Sequence, residues 1–135
     1  MFPAGGTQFN LGVLFSYLVL GCKTMIFIGN ELSWENQYYA DRKDEKDEKF
    51  EKHPVLDIHG QIVKTNLELY QSKLYLENQL GKWTDGFYIN ATEDGILGIT
   101  ARHGRLPWIS QYRLRDAISI TKRAIYKTKE VLNNG

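Results

Sequence analysis

The sequence has few of the residues that would place it in a specialised class of protein. Its 135 residues include one cysteine, three prolines and three histidines. With a single cysteine no intramolecular disulfide can form, so we expect a reducing, cytoplasmic setting. The apolar neighbours of Cys22 predict that this thiol is buried.

An excess of charge of one sign and a long apolar run are also missing. The formal net charge is +1, which gives no general reason to expect nucleic acid or an anionic membrane as a partner. Residues 11–20 are the longest apolar run, and Gly21 and Lys23 end it well short of the about 20 residues of a membrane span. No positive charge precedes this run, as it would in a signal peptide. We therefore expect neither a membrane span nor secretion.

The familiar patterns of metal sites and nucleophilic catalysis are absent from the sequence. His53, His59 and His103 are scattered, without acidic or cysteine neighbours at ligand spacing, which predicts exposed histidines. There is no P-loop lysine pattern and no zinc motif.

The composition, with 42% hydrophobic and 24% charged residues, is that of one globular domain. Residues 8–20, 66–80 and 116–132 have apolar positions at helical spacing. Residues 24–28 form a continuous β-type run, typical of a parallel strand buried on both faces, and residues 87–89 predict another strand. The pattern predicts an α/β fold with a partial parallel sheet, flanking helices and a helical C-terminus.

Local signals refine the middle of the chain. His59-Gly60 between two short β-type runs predicts an inserted hairpin with a two-residue turn. Thr65, three residues before Glu68, predicts a capping box at the start of the following helix, and Gly81 predicts its end. We expect Leu67, Tyr70, Leu74, Glu77 and Leu80 to lie along one flank of this helix.

A run of charged residues precedes the hairpin. Eleven of the twelve residues at positions 41–52 are charged, and only Phe50 is apolar. Such a run does not bury a face, so it favours a solvated helix or loop, with a lid over a neighbouring site as the functional alternative.

The clearest candidate for a binding site is the segment 87–98. Aromatic and branched residues give way there to an amide, a hydroxyl, two carboxylates and glycines. Ligands of open α/β sheets lie outside the carboxyl ends of strands, which is where this sequence would place Asn90, Thr92 and Glu93.

Two other segments predict polar groups at the same edge. Gly5-Gly6-Thr7 precedes a helix, where glycines and the helix N-terminus suit a phosphate or sugar, although many such turns bind nothing. Glu31 follows the strand at residues 24–28 and can accept hydrogen bonds from ribose, hold a metal or simply cap a loop. Tyr39 can donate its hydroxyl to a phosphate or pack the loop.

The last part of the chain is basic, with eight Lys or Arg between positions 101 and 135. Four of these can meet phosphates or can cover apolar surface with their stems. They are Arg102, Arg105, Arg113 and Arg115.

Taken in order, these segments resemble the MptE-like family, which includes the archaeal 6-hydroxymethylpterin diphosphokinases and the Maf motility-associated glycosyltransferases. The layout is also similar to the nucleotide-binding half of bacterial lipooligosaccharide sialyltransferases. The matching segments lie between positions 5 and 100 and are residues 5–20, 28–32, 39–40, 60–65, Glu77, residues 89–95 and Gly98.

The resemblance implies a Rossmann-like domain that binds a nucleotide or nucleotide-sugar. Glu31 would occupy the acidic position, as the candidate catalytic residue, where the sialyltransferases have aspartate. Diphosphate transfer would also imply Mg²⁺, with Glu31 and Glu93 as candidate ligands. The implied nucleotide-binding residues are Gly5, Gly6, Thr7, Asn10, Glu31, Tyr39, Asn90, Thr92 and Glu93.

The upstream part of the family's domain has no counterpart in this sequence. The resemblance therefore implies one partial domain over residues 1–135, with a family-like core at 5–100 and a helical extension at 101–135. We expect a transferase fragment that is inactive alone, for glycosyl or diphosphate transfer, and self-association through an exposed sheet edge or helix face. The alternative is a non-catalytic module that docks a partner through its basic C-terminal helices.

Overall fold

The structure, a computed structural model, describes residues 7–34 and 52–133. It confirms the predicted α/β class, with a parallel sheet, flanking helices, an antiparallel hairpin and a C-terminal helix. The elements in chain order are α1 (Gln8–Leu18), β1 (Thr24–Phe27), β2 (His53–Leu56), β3 (Ile62–Thr65), α2 (Leu67–Lys82), β4 (Phe87–Asn90), β5 (Ile109–Gln111) and α3 (Leu114–Asn133).

The main sheet has three parallel strands in the order β1-β4-β5. Within the described ranges β1 is an edge strand, paired only with β4. Met25 and Phe27 are buried, whereas Ile26 is half-buried and Ile28 is exposed. The prediction that this strand is buried on both faces is therefore wrong for its second face, because α3 covers that face only in part.

Helices lie on both faces of the sheet. One face packs against α1 and α2 in a core that includes Val13, Phe27, Leu76 and Tyr88. The other packs against the first turns of α3, around Ile89, Ala91 and Ala117. In β4, alternation sends Tyr88 and Ile89 to opposite faces.

The helix α1 begins at the predicted residue and ends two residues earlier than predicted. The Thr7 hydroxyl accepts from the backbone N–H of Asn10 at 3.2 Å, a standard N-cap. Gly21 then takes a positive φ of 69°. Cys22 is exposed, contrary to the expected burial, because this turn keeps the chain at the surface before β1 begins.

The predicted hairpin is present, with a longer turn than predicted. β2 and β3 pair antiparallel, and Asp57 N–H donates to the Gln61 carbonyl at 2.9 Å. The connection thus has three residues, of which Gly60 takes the positive φ of 81°. The Asp57 carboxylate fixes the turn by accepting from His59 N–H at 2.9 Å and Gln61 N–H at 2.7 Å.

The start and the buried face of α2 differ from the prediction. Asn66 is the N-cap and accepts from Leu69 N–H at 2.8 Å, while the Thr65 hydroxyl donates to the Leu32 carbonyl at 2.9 Å. Of the predicted flank, Glu77 and Leu80 are buried, whereas Leu67 and Leu74 are exposed, so the buried face is rotated from the predicted one. That buried face consists of Ser72, Lys73, Leu76, Glu77 and Leu80.

The predicted stop at Gly81 is also wrong, since α2 continues to Lys82. Gly81 matters for packing instead: a Cβ atom there would lie 3.1 Å from the indole of Trp108. The Trp108 indole N–H also donates to the Glu77 carbonyl at 3.0 Å, so this tryptophan ties the segment before β5 to α2.

The prediction that residues 101–135 form a helical extension is wrong for β5. Residues 109–111 complete the sheet, although Ser110 and Gln111 give no β-type run that sequence analysis could detect. The predicted C-terminal helix is present as α3. Within the described residues, no helix has the length and apolar character needed to cross a membrane.

Candidate functional site

The carboxyl ends of the three parallel strands meet at one edge of the sheet, which we call the carboxyl edge. The segments that follow there are residues 28–31 after β1, 91–95 after β4 and 112–113 after β5. Asn30 N–H donates to the Thr92 hydroxyl at 3.2 Å, which joins the first two segments. Ligands of open α/β sheets bind outside such an edge.

Two side-chain amides, one of them buried, hold the ends of β4 and β5 together. Asn90 Nδ2 donates to Gln111 Oε1 at 3.0 Å, and both amide groups donate to the carbonyl of Leu97. Asn90 Oδ1 accepts from Thr92 N–H at 3.2 Å. Asn90, which the sequence predicted as a site residue, is thus 1% exposed and orders the loop that carries Thr92 and Glu93.

The loop after β4 packs directly on the loop after β1. Ile96 N–H donates to the Glu31 carbonyl at 2.9 Å, and Gly95 takes a positive φ of 80°. A Cβ atom at Gly95 would lie 2.2 Å from that same carbonyl oxygen. Only glycine fits there, so this residue sets the distance between the two loops.

Glu93 connects three elements at the carboxyl edge. Its carboxylate Oε1 accepts from Leu114 N–H at 3.0 Å, which caps the start of α3. His59 Nε2 lies 3.0 Å from the Glu93 carbonyl oxygen, which brings the hairpin turn to this edge. Glu93 has a positive φ of 65°, an uncommon backbone state for a side chain of this size.

A cleft of about 250 Å³ opens between these elements, and we call it the basic cleft. Arg105, Arg113 and His59 line it together with the carboxylate of Glu93. Tyr112 and the amides of Asn90 and Gln111 complete its polar wall. Of the four arginines considered from sequence, Arg105 and Arg113 line the basic cleft, and Arg102 and Arg115 do not.

A second cleft of about 350 Å³ lies on the β1 side of the Asn30–Thr92 contact, and we call it the β1 cleft. Thr7, at the N-terminus of α1, lines it together with Asn30, Glu31 and Ser33. Asn30 is 7% exposed, and its side-chain Nδ2 has no hydrogen-bond partner within the described part of the chain. A ligand in this cleft would find a buried amide donor, a helix N-terminus and a carboxylate.

The nucleotide-binding residues predicted from sequence are divided between these clefts. Thr7 and Glu31 line the β1 cleft, Asn90 and Glu93 line the basic cleft, and Thr92 lies between them. Gly5, Gly6 and Tyr39 lie outside the described residues, as does nearly all of the charged run at 41–52.

Asn10 has a different position from the other predicted residues. It is fully buried, and its Nδ2 donates to the Ser72 carbonyl at 3.0 Å. This bond ties α1 to α2, so Asn10 fixes the direction of the helix whose N-terminus forms part of the β1 cleft.

Three residues at the carboxyl edge were missed as site residues from sequence. Asn30 was visible as the neighbour of Glu31, but burial of its amide depends on the Thr92 contact. His59 and Gln111 lie 34 and 21 positions from the residues that they contact, Glu93 and Asn90. No spacing rule connects residues that far apart.

The candidate metal ligands are separated in the same way. Glu31 lines the β1 cleft, whereas Glu93 lines the basic cleft and uses one carboxylate oxygen to cap α3. Among residues 7–34 and 52–133, no group of three or more His, Cys, Asp or Glu side chains is arranged to hold a metal ion.

Comparison of the chain with protein-family models, with curated proteins and with solved structures finds no match.

Proposed function

We propose that the carboxyl edge binds a nucleotide or nucleotide-sugar and that the chain forms part of a transferase that uses this ligand as donor. The observation that carries the proposal is the basic cleft, where Arg105, Arg113 and His59 meet around the ends of two parallel strands. The resemblance to the MptE-like family supports the same assignment.

The phosphates would bind in the basic cleft. A guanidinium group can donate two parallel hydrogen bonds to phosphate oxygens, and two arginines supply charge for a diphosphate. Arg113 directly precedes α3, so a phosphate beside it would also lie near a helix N-terminus. The Glu93 carboxylate already accepts from Leu114 N–H at that terminus, so it lies beside the proposed phosphate site.

The ribose or donor sugar would bind in the β1 cleft. Glu31 is exposed there and can accept hydrogen bonds from two adjacent hydroxyls, while the Asn30 amide can donate to a third oxygen. Thr7 adds a hydroxyl at the N-terminus of α1. The Asn30–Thr92 contact between the clefts would then lie under the bond that joins phosphate to sugar.

The chemistry we propose is transfer supported by charge rather than by a covalent nucleophile. Arg105 and Arg113, which line the basic cleft, would stabilise the negative charge that develops on the leaving group. Glycosyl transfer and diphosphate transfer both need this stabilisation, so both are retained in the proposal. In diphosphate transfer, Mg²⁺ bound to the phosphates would have Glu31 or Glu93 as a protein ligand.

Calorimetric titration of the full-length protein with nucleoside diphosphates and nucleotide-sugars, with and without Mg²⁺, tests the proposal. We expect at least one of these ligands to bind, and Arg113→Gln to weaken binding about tenfold or more because it removes a charged phosphate donor. Arg102→Gln is the matched control, since Arg102 is exposed but does not line the cleft. The proposal fails if none of the ligands binds.

A second pair of variants tests the β1 cleft separately. Asn30→Asp replaces an amide donor with a carboxylate of the same shape and should weaken binding of the whole nucleotide, because the new charge repels ligand oxygens. Asn78→Asp makes the same change on the exposed side of α2. Equal binding by both variants would remove the β1 cleft from the site.

The second candidate function, a docking module, is favoured by the exposed apolar positions of α3. Ile118, Ile125 and Leu132 recur along this helix and are 41%, 51% and 74% exposed. A docking module would still bind its partner after Glu31→Ala and would lose partner binding after charge reversal of Arg115. A transferase gives the opposite result for Glu31→Ala.

A further inference from the structure

A third cavity lies away from the carboxyl edge. It has a volume of about 290 Å³ and lies between the hairpin, α2 and the segment 96–101. None of its lining residues lines the basic cleft or the β1 cleft. Its walls are mainly apolar and include Val55, Leu56, Ile62, Ile96 and Ile99.

A buried lysine lines this apolar cavity. Lys73 lines the cavity and is 3% exposed, which is rare for lysine. Its Nζ lies 5.7 Å from the centre of the Tyr70 ring, which also lines the cavity. One N–H of Lys73 donates to Glu77 Oε2 at 2.8 Å.

Lys73 has donors that its pair with Glu77 does not use. An ammonium has three donors, and within the described residues the Glu77 carboxylate is the one hydrogen-bond acceptor that Lys73 contacts. The second oxygen of Glu77 accepts from Gly98 N–H at 2.7 Å, so the carboxylate is held in place. Both carboxylate oxygens of Glu77 therefore accept a hydrogen bond, whereas Lys73 uses one of its three donors in the pair.

Stability alone does not account for this pair. Removing two charges from water costs several kcal/mol, and well-packed apolar residues often do as well or better at such positions. Burial raises the pKa of the Glu77 carboxyl group, although the Lys73 ammonium opposes this shift. The pair is thus a costly feature on the wall of a cavity.

The charge balance limits what the cavity can accept. Lys73 and Glu77 already neutralise each other, so a carboxylate ligand would leave a net negative charge beside these two buried side chains. An uncharged oxygen acceptor takes an N–H from Lys73 without that cost. The apolar walls in turn favour a hydrocarbon body.

We propose that this cavity is a binding site for a small, uncharged, largely apolar molecule with a carbonyl oxygen. The carbonyl accepts a hydrogen bond from Lys73 Nζ, and the hydrocarbon part lies against Ile62, Ile96 and Ile99. The volume is near the lower end of the range for ligand pockets, which fits a molecule smaller than a nucleotide.

The test compares two probes of similar size, 2-octanone and octanoate at neutral pH. Methyl NMR signals of Ile62, Ile96 and Ile99 report binding at this cavity. We expect 2-octanone to bind about tenfold or more tightly than octanoate, because only the ketone leaves the charge pair balanced. Equal affinities, or shifts elsewhere in the spectrum alone, would overturn the proposal.

Two variants sharpen this test. Glu77→Gln leaves the Lys73 charge without its counterion, so the binding preference should reverse toward octanoate. A cavity that binds only through apolar contacts would not show this reversal. Ala101→Trp places a large side chain at an exposed lining position and should abolish binding of both probes without lowering the thermal unfolding midpoint. If Glu77→Gln does not fold, the native selectivity and its loss in Ala101→Trp decide the question; retained binding in Ala101→Trp contradicts it.

Discussion

The two faces of the main sheet are covered to very different extents. On the face toward α1 and α2, Leu76, Leu80 and Tyr88 are no more than 2% exposed. On the opposite face, tight packing is limited to Ile89, Ala91 and Ala117 near the start of α3.

Farther along, α3 leaves the sheet and its apolar residues face solvent. A groove of about 400 Å³ lies between the start of β1 and β4 and this part of the helix, lined by Phe87, Ala124 and Ile125. Hydrophobic stabilisation scales with the apolar area removed from water, so packing on the first face contributes more to the free energy of unfolding than packing on the second. The second face leaves a surface that another molecule could cover.

The difference in packing between the two faces is tested most directly by truncating one large side chain on each face. Leu76→Ala should lower the free energy of unfolding by about 2–5 kcal/mol, because it leaves a cavity in a packed core. Ile125→Ala should change it by less than about 0.5 kcal/mol, since Ile125 is half exposed on a helix. Chemical denaturation of both variants measures the difference, and equal losses would show that the second face is also packed.

The first face should also give the protein a distinct response to alkaline pH. Burial raises the pKa of Tyr88 to about 12, whereas a tyrosine in the unfolded chain ionises near about 10. Unfolding then releases a proton, so the Tyr88 contribution is fully present below pH ~10 and falls by about 2 kcal/mol as pH approaches ~12.

Tyr88→Phe isolates this contribution. It should make the alkaline loss of stability less steep, at a cost of about 1 kcal/mol at neutral pH for the hydrogen bond from Tyr88 to the Trp83 carbonyl. Tyr126→Phe is the control, since Tyr126 is 67% exposed on α3. Parallel pH profiles for the two variants would contradict the assignment to Tyr88.

The smallest effect on stability, and the most direct test of the open face, concerns self-association. We expect the chain to associate at high concentration and Ile125→Glu to shift sedimentation toward the monomer, because a charge in the contact opposes burial. Leu18→Glu makes the same change on the exposed side of α1. The variant that dissociates the protein identifies the contact surface. If the protein without substitutions is monomeric at high concentration, neither surface is a contact.

Much of the fold could be predicted because its signals are local. The apolar run at residues 24–28 and the periodic pattern at 116–132 are complete within their own elements, as β1 and α3 show. The start of α2 was mispredicted because Asn66 rather than Thr65 caps it, and the buried face was predicted only in part, because Ser72 and Lys73 lie on it beside Glu77 and Leu80. Sequence periodicity assumes that polar residues face water, and Ser72 and Lys73 do not.

The candidate site was predicted in part for the same reason. Polar residues that directly follow a strand, such as Glu31 and Glu93, can be found from sequence because strand direction places them at one edge. The division into two clefts follows from contacts between distant residues, such as Gly95 against Glu31 and Asn90 with Gln111. These contacts depend on how the strands are ordered.

The sequence by itself determined the fold class, because the spacing of apolar residues indicates which segments become helices and which become strands. It also determined which polar residues follow the strands. Only the tertiary structure decided that β5 completes the sheet, that Arg105 and Arg113 share a cleft, and that Lys73 lies buried beside a cavity. The physical reason is that burial and charge pairing depend on distances in space. Between residues far apart in the chain, those distances are set by the three short strands and their loops.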